Sequence, residues 1–231
     1  MGLTCVILQP SYIPWRGYFH QIQRADVFVF YDDVQYDHHG WRNRNRIKTR
    51  NGPTWLSIPV MKKGCHRHSV PLNLMRVDGQ QPWQAKHWKT IRQSYNRAPF
   101  FPEYALALEP FYRHPVESLA DFTIDLTLSL CGLLGIRSTR FVRSSDLGVG
   151  GGRTERLVAI LQRLGATRYL SGPSARDYLE EDRLRSEGIE LEYMDYRYPD
   201  YPQLYPPFDA QVSVLDLLFM TGPRAGDFIW G

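Results

Sequence analysis

The sequence predicts an α/β fold: a Rossmann-like, mostly parallel sheet with an α-helical insertion in the middle of the chain. The first 35 residues read strand, loop, helix, strand, and the last third returns to strands alternating with helices. Short apolar strands separated by helices are the pattern of a parallel sheet covered on both faces. Between these regions, residues 82–135 carry helical spacing and little strand signal. The 231 residues, 43% hydrophobic and 23% charged, are read as one α/β domain. It has a basic N-terminal half over 1–80, the helical insertion over about 82–135 and a C-terminal α/β half over 136–231.

Thr4-Cys5-Val6-Ile7-Leu8 is short, apolar and partly β-branched, as a buried strand should be. Pro10 and Pro14 hold residues 9–15 extended, since proline biases its predecessor away from helix. Tyr18, Phe19 and Ile22 then recur at helical spacing up to Asp26, and Val27 to Tyr31 forms a second strand. A right-handed parallel pairing of the two strands is the default. From Trp41 to Lys48 the chain alternates: Arg42, Arg44, Arg46 and Lys48 share one strand face, Trp41, Asn43, Asn45 and Ile47 the other. Asn51-Gly52 signals a hairpin turn into Thr54–Val60. Helices are expected over 82–97, 103–113 and 116–135, followed by a strand over 139–142 and a helix over 153–164. A strand over 168–170, a helix over 175–186, a strand over 189–193 and an apolar helix over 212–220 complete the pattern. Residues 196–207 hold four tyrosines and four prolines and read as an ordered aromatic loop. Gly148 to Gly152 lacks the lysine of a phosphate loop and reads as a flexible connection.

No apolar stretch approaches the roughly 18 residues needed to cross a bilayer, so no membrane insertion is expected. The N-terminus has no basic region before its apolar run, and three cysteines argue against a disulfide framework, which together suggest a cytoplasmic protein. The net charge of +4 divides into +10 over residues 1–100 and −6 over 101–231. A basic half suggests an anionic ligand. Cys65-His66-Arg67-His68 and His38-His39 do not make a complete metal set at recognised spacing, so no metal site is assigned. No GxSxG elbow is present.

The densest chemical cluster begins with Asp32-Asp33 and Gln35, at the carboxyl end of an expected parallel strand, where open α/β sheets bind ligands. Asp32 or Asp33 could serve as a general base or hold a hydrated Mg²⁺, the one cofactor these residues suggest. Arg42, Arg44 and Arg46 offer bidentate donors for phosphate, with Asn43 and Asn45 on the opposite face. The competing reading is a strand-end turn followed by a charged edge strand. Gln9, Tyr12 and Gly17 occupy the strand-to-helix corner that binds phosphate in such folds, and His20, one turn into the helix, is a reserve base. Ser171, Gly172, Ser174 and Arg176 follow another strand. Ser174 with Asp177 also reads as a capping box.

Leu8 to Phe19, Ala25 to Val29, Asp32 to Tyr36 and Asn43 to Lys48 together resemble the WbqC-like family. Tyr169-Leu170-Ser171-Gly172, Asp177-Tyr178-Leu179, Gly188-Ile189, Tyr198-Pro199, Tyr201-Pro202-Gln203 and Ser213 to Phe219 extend that resemblance to nearly the whole chain. It implies a place in bacterial surface-polysaccharide or other biosynthetic gene clusters. Met220-Thr221-Gly222 departs from the asparagine usual before that glycine. A weaker likeness, of layout alone, is to the HxGH nucleotidylyltransferase superfamily, but Gln9 and Gly17 stand where its histidines would be.

These readings point to a biosynthetic group transferase acting on a nucleotide-linked or phosphorylated small molecule. Acyl, aminoacyl or nucleotidyl transfer to an amino sugar or other amine is one form of it. The alternatives are a non-catalytic RNA- or nucleotide-binding protein that stacks bases on Trp41, Trp55 and Tyr36, or a scaffold of a polysaccharide-biosynthesis cluster. The oligomeric state is not specified by the sequence.

Overall fold

The computed structural model describes residues 2–38, 40–61 and 70–230. In chain order come β1 (Thr4–Leu8), α1 (Arg16–Arg24), β2 (Val27–Phe30) and a hairpin of β3 (Arg44–Thr49) and β4 (Gly52–Ser57). Then follow α2 (Trp83–Tyr95), α3 (Phe101–Leu108), α4 (Leu119–Leu133), β5 (Arg140–Arg143), α5 (Arg153–Leu164), β6 (Arg168–Ser171), α6 (Glu181–Ser186), β7 (Glu190–Tyr193) and α7 (Val214–Thr221). The Cys65–His68 cluster and His39 lie outside the described residues. No helix among the described residues is long and apolar enough to cross a membrane.

Five strands pair in parallel in the order β5-β2-β1-β6-β7. Their side chains split by the period-two rule. Val6, Phe28 and Phe30 join the large core that includes α1 residues Phe19 and Ile22 and α4 residues Leu126 and Leu130. Cys5, Ile7, Val27 and Val29 face the other way, onto Leu157, Ile160 and Leu161 of α5 and Leu184 of α6. β1 and β2, inside the sheet, are almost wholly apolar because both of their faces are covered, whereas the edge strands β5 and β7 carry charges.

The strand order grows outward in both directions from β1, so the chain reverses between β1 and β6. That reversal is the switch point at which open α/β sheets leave a crevice. Here the pairing itself opens the crevice. β1 and β6 pair only at Thr4 with Arg168 and Cys5 with Tyr169. Each stays paired to its outer neighbour up to its end, Leu8 with Phe30 and Ser171 with Tyr193.

Several expected boundaries shift for local reasons. The 103–113 helix starts at Phe101 and passes into a 3-10 turn at Glu109–Tyr112, where Pro110 lacks the N–H an α-helix requires. The hairpin turn is Arg50-Asn51, because Thr49 pairs with Gly52, whose φ of 99° suits glycine. The expected 175–186 helix is a 3-10 turn over Pro173–Asp177 followed by α6. Its cap is Gly172 with no side-chain bond, so the Ser174–Asp177 capping box does not form. A comparable cap exists elsewhere: Ser118 accepts from Asp121 N–H at 3.2 Å at the start of α4.

Candidate functional site

A cavity of about 540 Å³ occupies the crevice between the ends of β1 and β6. The β1–α1 connection contributes Ser11, Pro14 and Trp15, and α1 contributes Tyr18 and Gln21. The approach to the hairpin adds Trp41, Arg42 and Asn45, and Gly172, Ser174, Tyr196 and Gln211 close the far side. A depression of similar size flanks α4, where Arg76 pairs with Glu117 and Asp121 with the neighbouring Arg143.

Arg42 supplies the charge of the cavity. Its Nη1 donates to the Gln9 carbonyl at 3.1 Å and to Ser11 Oγ at 2.7 Å, while its buried Nε has no partner among the described residues. Burial pulls the guanidinium below its ordinary pKa, against the opposing pull of Tyr18, Asp37 and Tyr36. The Tyr18 hydroxyl donates to the same Gln9 carbonyl at 3.2 Å. Gln21 is held by its amide donating to Tyr196 Oη at 2.7 Å, which leaves its buried Oε1 without a partner. No Asp or Glu lines the cavity.

The loop that carries Ser11 is strained. Ile13 has φ of 38°, rarely adopted by a β-branched residue. Asn45, buried on β3, holds it there by donating to the carbonyls of Tyr12 at 3.2 Å and Ile13 at 2.9 Å. The hairpin is in turn tied to the α7 end by Ser213 N–H donating to the Arg46 carbonyl at 2.8 Å. Strain of this kind persists where surrounding structure over-determines it, and it clusters at functional sites.

Of the residues singled out in the sequence, Arg42, Asn45, Gly172 and Ser174 meet in the cavity, and Gln9 contributes its carbonyl to the Arg42 network. The two aspartates stand elsewhere. Asp32 is fully buried and accepts from Ser145 N–H at 3.0 Å and Ser145 Oγ at 2.9 Å. Asp33 accepts from Ser144 Oγ and pairs with Arg156. Both carboxylates are held by donors from the β5–α5 region, outside the cavity lining. Among the described residues no group of three His, Cys, Asp or Glu could hold a metal.

The arginine row also separates. Arg44 and Arg46 stack on Trp55 at 4.9 and 5.7 Å, and Arg46 donates to the Gln211 carbonyl at 2.9 Å. Lys48 is buried and reaches the Pro207 carbonyl. Arg42 precedes the strand and turns into the cavity instead. Asn43 closes the hairpin by donating to the Ile58 carbonyl at 2.8 Å, and Gln35 is exposed in a bridge to Pro71.

Tyr12 points into the helical core, where its hydroxyl meets His87 Nδ1 and Tyr112 Oη, each at 2.9 Å. Burial lowers the His87 pKa to about 4. Gly17 makes room for the Trp15 indole, since a Cβ there would lie 2.3 Å from that ring. His20 Nδ1 bonds Tyr198 Oη at 3.0 Å, outside the lining. Burial and then Arg24 lower its pKa. Ser171 is buried at the end of β6, and Arg176 stacks on Tyr193 at 4.5 Å.

The model of the WbqC-like protein family matches residues 9–228. The chain belongs to the WbqC-like protein family. It is 42% identical over 225 residues, 96% of each chain, to uncharacterized protein Rv1507c of Mycobacterium tuberculosis (strain ATCC 25618 / H37Rv). No solved structure matches it. In this WbqC-like chain the long motif from Leu8 to Phe19 is one wall of the cavity, and Asn43 to Lys48 supplies the strand that holds it in shape. Ser11, Trp15, Tyr18 and Gln21 are the site residues that a search for charged clusters misses. The signal for Ser11 and Trp15 was the rigid proline-flanked segment at the end of the first strand, and that for Tyr18 the helical spacing that follows it. Tyr196 opens the tyrosine- and proline-rich segment read as an ordered loop, and Gln211 had no local signal.

Proposed function

We propose that this WbqC-like protein is a biosynthetic group transferase that takes a nucleotide-linked or phosphorylated small molecule, in polysaccharide-related or similar biosynthesis. The observation that carries the reading is Arg42, a largely desolvated guanidinium in a crevice at the sheet's switch point whose lining contains no carboxylate. A cation whose pocket lining offers no carboxylate favours an anionic ligand, and a planar fork suits phosphate. Ser11, Tyr18, Gln21 and Asn45 surround it with fixed hydrogen-bonding groups. Such a lining promotes transfer by holding donor and acceptor in line and neutralising charge on the leaving group. Asp32 and Asp33, both saturated, take no part. His20, next to Gln21 in the chain and with its pKa lowered by burial and Arg24, is kept as a reserve base outside the lining.

Thermal unfolding of the full chain against nucleotides, nucleotide sugars and coenzyme A thioesters, with and without Mg²⁺, tests this. A ligand at ~100 times its Kd stabilises the native state by about 2.7 kcal/mol. The expected result is stabilisation by a nucleotide-linked compound in the wild type and its loss in Arg42→Gln. Stabilisation that survives Arg42→Gln, or that only a length-dependent RNA produces, would overturn the assignment.

A further inference from the structure

Beside the cavity the hairpin region carries an exposed aromatic pair, of which only Trp41 reaches the lining described above. The rings of Trp41 and Trp55 lie 5.1 Å apart, tilted by 33°, and remain 43% and 46% exposed. Arg44 and Arg46 sit over Trp55. Adjacent apolar rings left in water and rimmed by cations mark a surface that something covers. Trp41 also lines the cavity, so platform and cavity are continuous.

Charge indicates what covers it. Along the described hairpin region, residues 40–57 contain Arg42, Arg44, Arg46, Lys48 and Arg50 and no Asp or Glu. A ring face inside such a field suits a planar base joined to phosphate better than a neutral sugar. The −6 carried by residues 101–231 disfavours a long polyanion. Tyr36, the third ring expected to stack bases, is buried against His38 and takes no part.

We infer that the Trp41–Trp55 platform stacks the nucleobase of the same ligand whose phosphate meets Arg42, which makes a nucleoside diphosphate or its conjugate the substrate class. The inference rests on the reading of the cavity as an anion site. Every base has a π face, so the platform adds affinity with little preference among bases.

Titration calorimetry of the full chain with ADP, UDP and inorganic pyrophosphate tests it in wild type, Trp55→Ala and Trp55→Phe. Trp55 is half-exposed and does not line the cavity, so the variants should fold, and a melting curve checks this. Trp55→Ala should weaken ADP and UDP about five- to a hundredfold, with Trp55→Phe recovering most of the loss. Pyrophosphate should bind all three proteins equally. Unchanged ADP and UDP affinity in Trp55→Ala would overturn the platform and leave the cavity reading standing. Failure of the wild type to bind any of the three would overturn both. A single-stranded octanucleotide binding more tightly than ADP, with affinity growing with length, would overturn the small-ligand assignment.

Discussion

At the carboxyl edge of one sheet, the ends of β2 and β5 bring together two carboxylates, and the ends of β1 and β6 enclose a guanidinium. The first group is closed: Asp32 and Asp33 meet Ser144, Ser145 and Arg156, and every carboxylate oxygen has a donor. The second is open: Arg42 meets a carbonyl and a hydroxyl but no carboxylate in the lining, and its Nε and the Gln21 Oε1 have no partner among the described residues. Arg156 Nε is likewise without a partner among the described residues. The contrast therefore rests on Gln21 Oε1 and on a cation whose cavity lining holds no carboxylate, and these mark the second set as the one that calls for a ligand. Residue type alone would have chosen the other.

The largest expected effect separates the two groups. Asp32→Ala strips Ser145 of its acceptor and leaves buried donors unpaired, which should cost about 3–5 kcal/mol of folding free energy in denaturant titration. The folded fraction should still bind the cavity's ligand with its original affinity. Loss of binding at unchanged stability would return Asp32 to the site and erase the contrast.

A third buried carboxylate sharpens it. Asp216 on α7 accepts from Tyr95 at 2.9 Å and Gln203 at 2.9 Å, with Lys48 nearby, yet burial raises its pKa to about 6. A raised carboxyl pKa gives stability that is complete below the unfolded value near 4 and is lost as pH rises through 6, at most about 3 kcal/mol. His87 has the opposite sign, because its lowered pKa gives stability that is complete above about 6.5 and is lost as pH falls toward 4. The two oppose each other in the wild type. Asp216→Asn should therefore show melting temperature rising more steeply from pH 4 to 6 than the wild type does. Parallel curves would show that the neighbours of Asp216 balance its charge fully.

The fold was legible because its signals are local. β1, β2 and their crossover follow from an apolar run, two prolines and a helical spacing, and each strand of the sheet lies within a residue or two of where its pattern put it. The site was only half legible. The alternation from Trp41 to Lys48 suggested one cationic face, but β3 begins at Arg44, so Arg42 is free of the strand's register and turns away from Arg44 and Arg46. Nothing local shows that Ser144 and Ser145 lie against Asp32, more than 100 residues away along the chain. Closure of a carboxylate by distant donors is a property of the tertiary structure. The Ser174–Asp177 capping box failed for a related reason: the turn after β6 is a tight 3-10 helix whose cap position falls on Gly172.

Gly17 offers the smallest and most discriminating test, because two readings of one glycine predict different couplings. If the glycine exists so that phosphate can approach the backbone of α1, Gly17→Ala weakens binding whatever residue 15 is. The structure instead puts the Trp15 indole against it, with Cζ2 2.3 Å and Cη2 2.5 Å from the position an alanine methyl would take, and packs the same indole edge-on against Tyr196 at 4.9 Å. The ring has little room to retreat, so Gly17→Ala alone should destabilise by about 2 kcal/mol through overpacking. In a Trp15→Ala background the obstruction is gone, and alanine's better helix propensity should make the same change neutral or stabilising by up to about 1 kcal/mol. A double-mutant cycle on unfolding free energy reads this change of sign directly. Equal costs in both backgrounds would mean that something other than the indole requires the glycine.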